Sequence, residues 1–237
     1  MKLSTPIFQL KRRAKLMARR DGIPLHQALD HVASTEGFSR WSLLSSRLAA
    51  SSLPRTLLRQ LSAGELLLMA GRPGHGKTTL GLELLLEAAR SGRKACFFTL
   101  ESTEPQVRSQ LARLSPDNPQ IAERIDILTS EDIGADYIIR QIEGSPRETI
   151  AVIDYLQILD QRRDKPPLAE QAEALHRFAG QAGIIMGFVS QIDRTYDPET
   201  RRLPDLRDIR RAGHLDLRLF HKACFLHGGE AQLQAVA

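Results

Sequence analysis

The chain has 237 residues, 42% of them hydrophobic and 26% charged, which is typical of a globular protein with one large core and a small additional unit. No apolar stretch approaches the length that crosses a bilayer, and the basic N-terminus lacks the apolar segment of a secretory signal. We therefore expect a cytoplasmic protein without a membrane partner. Cys96 and Cys224 fall in predicted strands and are expected to be buried thiols, not a disulfide or a metal pair.

The net charge of +5 is unevenly distributed along the chain. Residues 1–50 hold nine Lys and Arg against three Asp and Glu, whereas the rest of the chain holds 24 basic and 25 acidic residues. The excess positive charge therefore belongs to the N-terminal segment. Such a basic block indicates a polyanionic partner, and it favours a nucleic acid over a membrane surface.

Residues 7–48 show helical apolar periodicity and predict two or three short helices, so residues 1–50 are interpreted as a small basic helical module. Trp41 is expected to fill the core of this module. A helix-turn-helix that binds nucleic acid and a merely solvated basic face both remain open. Residues 51–62, which include Pro54, are predicted to be a linker, and residues 63–237 the main domain.

A phosphate-binding motif follows the first strong strand pattern. Residues 71–78 match the P-loop pattern G-x-x-x-x-G-K-[ST]. The apolar run 66–70 precedes them and a leucine-rich helical pattern follows them, which is the context in which this pattern forms a P-loop. Glycines let backbone N–H groups surround a phosphate, a lysine reaches the outer phosphates, and a threonine hydroxyl binds Mg²⁺. The motif predicts a nucleoside triphosphate site with Mg²⁺, formed by Gly71, Arg72, Pro73, Gly74, His75, Gly76, Lys77, Thr78 and Thr79.

Strand-like and helical patterns alternate along the rest of the chain. The predicted strands are Leu66–Ala70, Ala95–Leu100, Ile125–Leu128, Ile150–Asp154, Ile184–Ser190 and a weaker pair near Ala223–Leu226 and Gln232–Val236. The predicted helices between them are Thr78–Arg90, Glu104–Leu114, Ile133–Ile142 and Leu168–Ala182. Apolar strands separated by helices indicate an α/β fold, with a mostly parallel central sheet flanked by helices. Ligands should bind at the carboxyl ends of these strands.

Three of the predicted strands end in polar residues. Asp154 follows the apolar run 150–153, as the magnesium-binding acid of a Walker B strand does. Glu101 ends its strand either as a carboxylate that polarises the attacking water or as the cap of the next helix. Gln191 is placed to sense the γ-phosphate. The alternative for Asp154 is a solubilising carboxylate at a strand end.

These segments together resemble the C-terminal RecA-like ATPase domain of the DnaB-type replicative helicases. The resemblance covers residues 62–227 and is carried by Gly71–Thr79, Phe97–Glu101, Ile153–Ile158, Val189–Arg194 and Asp205–Arg207. The resemblance implies that the nucleotide is ATP, that Lys77 binds its phosphates and that Thr78 binds Mg²⁺. It also implies that Asp154 is the Walker B acid, Glu101 the catalytic base and Gln191 the sensor of the γ-phosphate.

The resemblance also implies partners. These are single-stranded DNA and other copies of the chain in a hexameric ring. The DNA would contact two loops, one at Gln161–Lys165 and one between Arg194 and Arg211. The basic residues singled out there are Arg162, Arg163, Lys165, Arg194 and Arg207.

The chain departs from the family pattern in two places. The basic N-terminal module differs from the large helical N-terminal domain of the helicases. The residues after Phe220 also lack the Lys-x-Arg pair that family members supply to a neighbouring subunit's ATP, so hydrolysis is expected to be slow unless another cation substitutes. The candidates for that substitution are Arg210, Arg211, Arg218 and Lys222.

We therefore predict a DnaB-like ATPase that couples hydrolysis to single-stranded DNA binding or translocation, in replication or mobile-element maintenance. The main alternative is a slowly hydrolysing, nucleotide-switched DNA-binding or regulatory protein whose basic N-terminal module supplies the affinity. A weaker alternative is a P-loop phosphotransferase that acts on a small molecule.

Overall fold

The computed structural model describes residues 4–5, 7–116, 118–160, 165–210 and 215–236. The chain forms two compact units, with the boundary between Ser52 and Leu53. Within the described residues, no helix is long and apolar enough to cross a bilayer.

The N-terminal unit contains helix α1 (Ile7–Asp21), helix α2 (Leu25–Thr35) and the first part of helix α3 (Trp41–Gln60). Leu10, Val32 and Leu44, one from each helix, are buried together in its core. Trp41, which the sequence predicts to fill this core, is partly buried and packs against it. The apolar stripe of each helix is therefore used to hold the three helices together.

Helix α3 continues through most of the segment 51–62, for which the sequence pattern predicts a linker. Pro54 lies inside the helix, although proline removes a backbone donor and usually interrupts helices. Leu57, Leu58 and Leu61 are buried in the core of the larger unit. Burial of these side chains offsets the cost of Pro54, because tertiary packing outweighs local propensity.

The larger unit alternates strands with helices. Its strands are β1 (Leu66–Gly71), β2 (Ala95–Thr99), β3 (Ile125–Leu128), β4 (Ile150–Asp154), β5 (Ile185–Gln191), β6 (Lys222–His227) and β7 (Glu230–Ala235). Its helices are α4 (Lys77–Arg90), α5 (Glu104–Leu114), α6 (Pro119–Glu123), α7 (Ala135–Ile142) and α8 (Leu168–Ala182). Short 3₁₀ turns lie at Leu156–Asp160, Leu206–Asp208 and Leu217–Leu219.

The seven strands form one sheet in the order β3-β2-β4-β5-β1-β6-β7. Neighbouring strands are parallel except β6 and β7, which pair as an antiparallel hairpin. The predicted α/β fold with a mostly parallel sheet is confirmed. Parallel pairing places the carboxyl ends of β1 to β6 at one edge of the sheet, which we call the carboxyl edge.

The sheet is covered on both faces, so consecutive residues of a strand enter different cores. Leu66 and Leu68 of β1 pack with α7 and α8 on one face, whereas Leu67 and Met69 pack with α4 and α5 on the other. This explains why every residue of β1, β2 and β4 is buried, and why these strands are apolar up to their carboxyl ends. Cys96 and Cys224 are buried free thiols, as predicted, and burial raises the pKa of each to about 12.

Candidate nucleotide-binding site

Strand register brings the predicted site residues to the carboxyl edge. Gly71 at the end of β1 lies beside Gln191 at the end of β5. Thr99 at the end of β2 lies beside Asp154 at the end of β4, and Glu101 follows Thr99 by two residues. Four segments that are distant in sequence therefore meet around the turn between β1 and α4.

The P-loop has the backbone conformation that its glycines allow. Gly76, which precedes α4, has a φ of 85°, in the left-handed region that glycine adopts without a steric penalty. Gly71 approaches β6 so closely that an added Cβ would lie 2.7 Å from the carbonyl oxygen of Leu226. Pro73 and Gly74 are exposed at the tip of the turn. The amino end of α4 thus faces the cavity of the turn, the arrangement that binds phosphate.

Lys77 and Thr78 begin α4 next to the Walker B acid. Lys77 is only 8% exposed, and its Nζ donates to the carbonyl oxygen of Arg72 at 2.9 Å. Burial lowers the pKa of Lys77, while the charges of Asp154 and Glu101 act in the opposite direction. The ammonium group is therefore held against the P-loop in a partly desolvated position, where a phosphate would replace the carbonyl as its partner.

The donors at this point suit a magnesium ion. The Thr78 hydroxyl is close enough to the Asp154 carboxylate to lower its pKa, and both side chains line the same cleft, so two oxygen ligands lie near each other next to the P-loop. Mg²⁺ takes oxygen ligands and completes its shell with water and nucleotide phosphates. Burial raises the pKa of Asp154 from 3.8 to about 6, with the nearby Glu101 charge adding to the rise and the Thr78 bond and Lys77 opposing it.

This raised pKa predicts a stability effect of Asp154→Asn. Between pH 3.8 and about 6 the folded state binds a proton that the unfolded state has lost, so the carboxyl increasingly destabilises the fold as pH rises through this window. Without Mg²⁺ and nucleotide, we expect Asp154→Asn to stabilise the protein by up to about 3 kcal/mol above pH 6, and by less near pH 4.

Thermal unfolding of the wild type and Asp154→Asn across pH measures this difference. Adding Mg²⁺ and a non-hydrolysable ATP analogue should raise the melting temperature of the wild type and leave the variant almost unchanged. A variant that is less stable than the wild type above pH 6 would contradict the assignment.

Glu101 lies on the cleft side of the strand end and does not cap the next helix. The N-cap of α5 is Thr103, whose backbone N–H donates to Gln106 Oε1 at 2.9 Å. Glu101 is exposed, and its own N–H donates to Thr99 Oγ1 at 3.1 Å. The capping interpretation of Glu101 is therefore wrong, and its carboxylate remains available to a water molecule in the cleft.

A cleft of about 650 Å³ opens between the start of α4 and the second half of α5. The residues that line it are Thr78, Thr79, Glu101, Ser102, Gln110, Arg113, Leu114 and Asp154. Sequence reasoning missed Gln110 and Arg113, which lie one helical turn apart on α5. The alternation with the buried Val107 and Leu111 marks them as the outer face of α5, but only the sheet order shows that this face borders the cleft.

Gln191 ends β5 beside the P-loop, and Arg210 returns to it from the following loop. The Arg210 N–H donates to the Gln191 carbonyl at 3.0 Å, and its Nη1 is 3.5 Å from Gln191 Oε1. Lys222 and Arg218 lie at the other edge of the sheet, where strand β6 begins. There Lys222 pairs with Glu65, and Arg218 pairs with Asp216. Arg211 lies outside the described residues. Of the described candidate cations, Arg210 is the one next to the predicted sensor.

The P-loop side chains Arg72 and His75 point to neighbouring loops. Arg72 Nη2 donates to the carbonyl oxygens of Arg194, at 3.4 Å, and of Tyr196, and its guanidinium lies 5.5 Å from the centroid of the buried Tyr196 ring. His75 stacks on His227 with centroids 4.7 Å apart. At these two positions the nucleotide would therefore meet backbone groups, and the side chains fix the P-loop to the rest of the domain.

The residues predicted to contact nucleic acid are differently placed. Arg162 and Arg163 lie outside the described residues. Lys165 Nζ donates to the carbonyl of Asp132 at 2.7 Å and is half-buried. Arg194 is exposed beside the P-loop partner Tyr196, and Arg207 is exposed but paired with Asp205 at 2.7 Å. Exposed ion pairs of this kind contribute little to the stability of the fold.

A parallel sheet with a P-loop after an interior strand, and a carboxylate at the end of β4, defines a RecA-like P-loop nucleoside triphosphatase. A family model described as "ATPase: KaiC" matches residues 53–202, more than half of the chain. The chain therefore belongs to the KaiC family of ATPases.

Curated relatives include replicative helicases. The "Replicative DNA helicase DnaB" of Mycoplasma pneumoniae is 25% identical over 191 residues, which are 65% of this chain and 40% of that protein. A "Probable plasmid replicative DNA helicase" of Chlamydia trachomatis is 23% identical over 186 residues, which are 66% of this chain and 41% of that protein. The chain thus spans about two fifths of the length of these relatives.

Two solved structures share the fold. The first, an ATPase domain, superposes with a TM-score of 0.57 at 21% identity, covering 70% of each chain. The second, a DnaB-like replicative helicase described with its interactions with primase, gives a TM-score of 0.59 at 18% identity, covering 93% of this chain and 66% of that one. The resemblance to the DnaB-type ATPase domain, drawn from the sequence motifs, is confirmed.

Proposed function

We propose that this KaiC-family protein is a magnesium-dependent ATP hydrolase whose turnover is coupled to single-stranded DNA. The observation that carries the proposal is that Thr78, Asp154 and Glu101 line one cleft on the carboxyl edge. Lys77, which precedes Thr78, is near enough for the charges of Asp154 and Glu101 to act on it. These residues supply a phosphate-binding cation, two metal ligands and a candidate base, the parts that hydrolysis of a triphosphate requires.

Each group has a separate task in the proposed reaction. The P-loop backbone and Lys77 hold the β- and γ-phosphates, and a Mg²⁺ ion on Thr78 and Asp154 would neutralise charge that develops on them. Glu101 orients a water molecule in line with the γ-phosphorus and accepts its proton. Gln191 is placed to contact the γ-phosphate, and Arg210 lies beside it. Gln110 and Arg113 extend the cleft with polar groups for the remainder of the nucleotide.

The proposed DNA coupling follows from the position of one loop and from the relatives. The loop that contains Arg194 and Arg207 starts from Gln191, and its carbonyls are held by Arg72 of the P-loop. A change at the phosphates therefore acts on the segment that would bind a strand. The relatives include proteins named as DNA helicases. Motor action along DNA would require several copies of the chain, as in a ring.

Steady-state ATP hydrolysis with and without single-stranded DNA tests the proposal. We expect low basal turnover that rises at least tenfold with saturating single-stranded DNA, because the strand would order the loop joined to Gln191 and the P-loop. Duplex of the same length is the control and should stimulate less. Tight ATP binding with negligible turnover under both conditions would contradict the proposal and support the nucleotide-switched alternative.

Light scattering tests the proposed assembly separately. The protein with a non-hydrolysable ATP analogue, Mg²⁺ and single-stranded DNA should have a mass several times that of one chain. A monomer under these conditions would rule out translocation by a ring, while leaving ATP hydrolysis itself unaffected.

A further inference from the structure

The N-terminal unit has a row of exposed positive charge on α1. Lys11, Lys15 and Arg19 recur every four residues, so they lie in one row that extends about 12 Å along the helix, and Arg12 lies beside it. All four side chains are exposed. We call these four residues the basic ridge.

A second face of α1, about 100° round the helix from the basic ridge, holds the helix in its unit. Leu10 and Ala14 are fully buried with Val32 of α2 and Leu44 of α3. Because this face is packed, the basic ridge is turned away from the core of the three helices. Like charges four residues apart destabilise a helix, so the row costs stability and makes no contribution to the packing.

The carboxylates of this unit have other partners. Asp21 pairs with Arg20 at 2.6 Å, Asp30 accepts the N–H of Trp41 at 2.8 Å, and Glu36 accepts the N–H of Ser4 at 2.9 Å. Within residues 4–5 and 7–52 these are the three acidic residues. In the described part of this unit, no carboxylate therefore forms an ion pair with the basic ridge.

We propose that the basic ridge binds the phosphate backbone of duplex DNA without reading its sequence. Duplex DNA carries a negative charge for about every 1.7 Å of its axis, a density that a row of cations about 12 Å long can engage at several phosphates. A helix that binds a bilayer inserts its apolar stripe, and in α1 the stripe residues Leu10 and Ala14 are fully buried, while Leu16 is an exposed leucine of this helix. The chemistry of the ridge is thus that of a phosphate-backbone contact.

This surface is separate from the proposed ATPase site. It lies in the N-terminal unit, it would bind without nucleotide, and it would prefer duplex over single strands because of their charge densities. Together with the proposed function, this gives the protein two kinds of nucleic-acid contact, one that depends on bound nucleotide and one that does not.

The test compares the full chain with the triple variant Lys11→Gln, Lys15→Gln and Arg19→Gln. Fluorescence anisotropy with a short duplex of random sequence, without nucleotide, gives the affinity over a series of salt concentrations. Removing three phosphate contacts should reduce the slope of log K against log salt by about 2 to 3, and weaken binding at low salt by at least about tenfold. Glutamine preserves helix propensity, so the melting temperature should change little.

A matched control removes three positive charges from exposed positions of the larger unit, by Arg59→Gln, Arg124→Gln and Arg177→Gln. This variant should retain the slope of the wild type. An equal loss in both triple variants would show a net-charge effect and overturn the proposal, as would an unchanged slope in the ridge variant. Ridge-dependent binding to anionic vesicles without binding to duplex would also overturn it.

The two proposals fail in different ways. If ATP hydrolysis is absent but the ridge variant loses its salt-dependent binding, the proposed catalytic function is wrong and the ridge assignment holds. If the ridge variant hydrolyses ATP normally and binds duplex as the wild type does, the ridge assignment alone is wrong.

Discussion

Lys77→Ala is expected to reduce kcat/KM for ATP by about a hundredfold to a thousandfold, the cost of losing one preorganised electrostatic donor at a transition state. Lys77 is 8% exposed, and its ammonium group donates a hydrogen bond to the Arg72 carbonyl at 2.9 Å, so it is already held beside the phosphate cavity. A cation held in place beforehand stabilises the developing charge on the phosphate oxygens without reorganisation. Initial-rate kinetics over a range of ATP concentrations measures the loss.

Lys94→Ala is the matched control for this variant. Lys94 precedes β2 at the amino edge of the same sheet, 3.9 Å from Asp126, and it is far along the strand from the cleft. The control should keep its kcat/KM within about twofold of the wild type, because exposed ion pairs contribute little. If Lys77→Ala retained most of the activity, a site other than this P-loop would carry the hydrolysis.

Glu101→Gln is expected to lower kcat by about a hundredfold to ten-thousandfold while ATP binding is preserved. The amide has the same shape as the carboxylate but cannot accept the proton of the attacking water. Glu101 is exposed to the cleft, and it does not cap α5, so the substitution leaves the helix intact. Single-turnover hydrolysis and equilibrium binding of a fluorescent ATP analogue separate the chemical step from affinity.

Glu104→Gln, three residues away, controls for the loss of a carboxylate. Glu104 is exposed in the first turn of α5 and pairs with Arg108 at 3.1 Å. Its removal should leave kcat within about twofold and lower stability only slightly, because exposed helical pairs contribute a few tenths of a kcal/mol. Equal activity of the wild type and Glu101→Gln would show that another group activates the water.

Local features of this protein could be predicted from sequence because they depend on neighbouring residues. The strands Ile125–Leu128 and Ile150–Asp154 and the helices Glu104–Leu114 and Leu168–Ala182 have the predicted bounds. The apolar residues of these segments recur regularly. Thr103 marks the start of one helix and Gly183 the end of the other. The P-loop is likewise a strand, turn and helix that are contiguous in the chain, so its phosphate-binding chemistry can be identified from residues 66–79 alone.

Long-range packing explains where the structure differs from the sequence-based predictions. Pro54 and the adjacent serines favour a linker, but helix α3 extends to Gln60 because Leu57 and Leu58 are buried against the sheet. Arg72 matches the P-loop pattern as a nucleotide contact, yet its guanidinium is bonded to the loop at Tyr196. Neither outcome is encoded in the local pattern, since each depends on a partner distant in sequence.

The sequence by itself determined the fold class, the P-loop and the residue types at the strand ends, because each follows from local periodicity and glycine geometry. The tertiary structure decided which strands are neighbours, and so which side chains meet. Only the order β3-β2-β4-β5-β1-β6-β7 brings Asp154 to the Thr78 hydroxyl and places Arg113 of α5 on the cleft. The physical reason is that the pairing of parallel strands depends on the packing of the whole sheet, and no local segment specifies it.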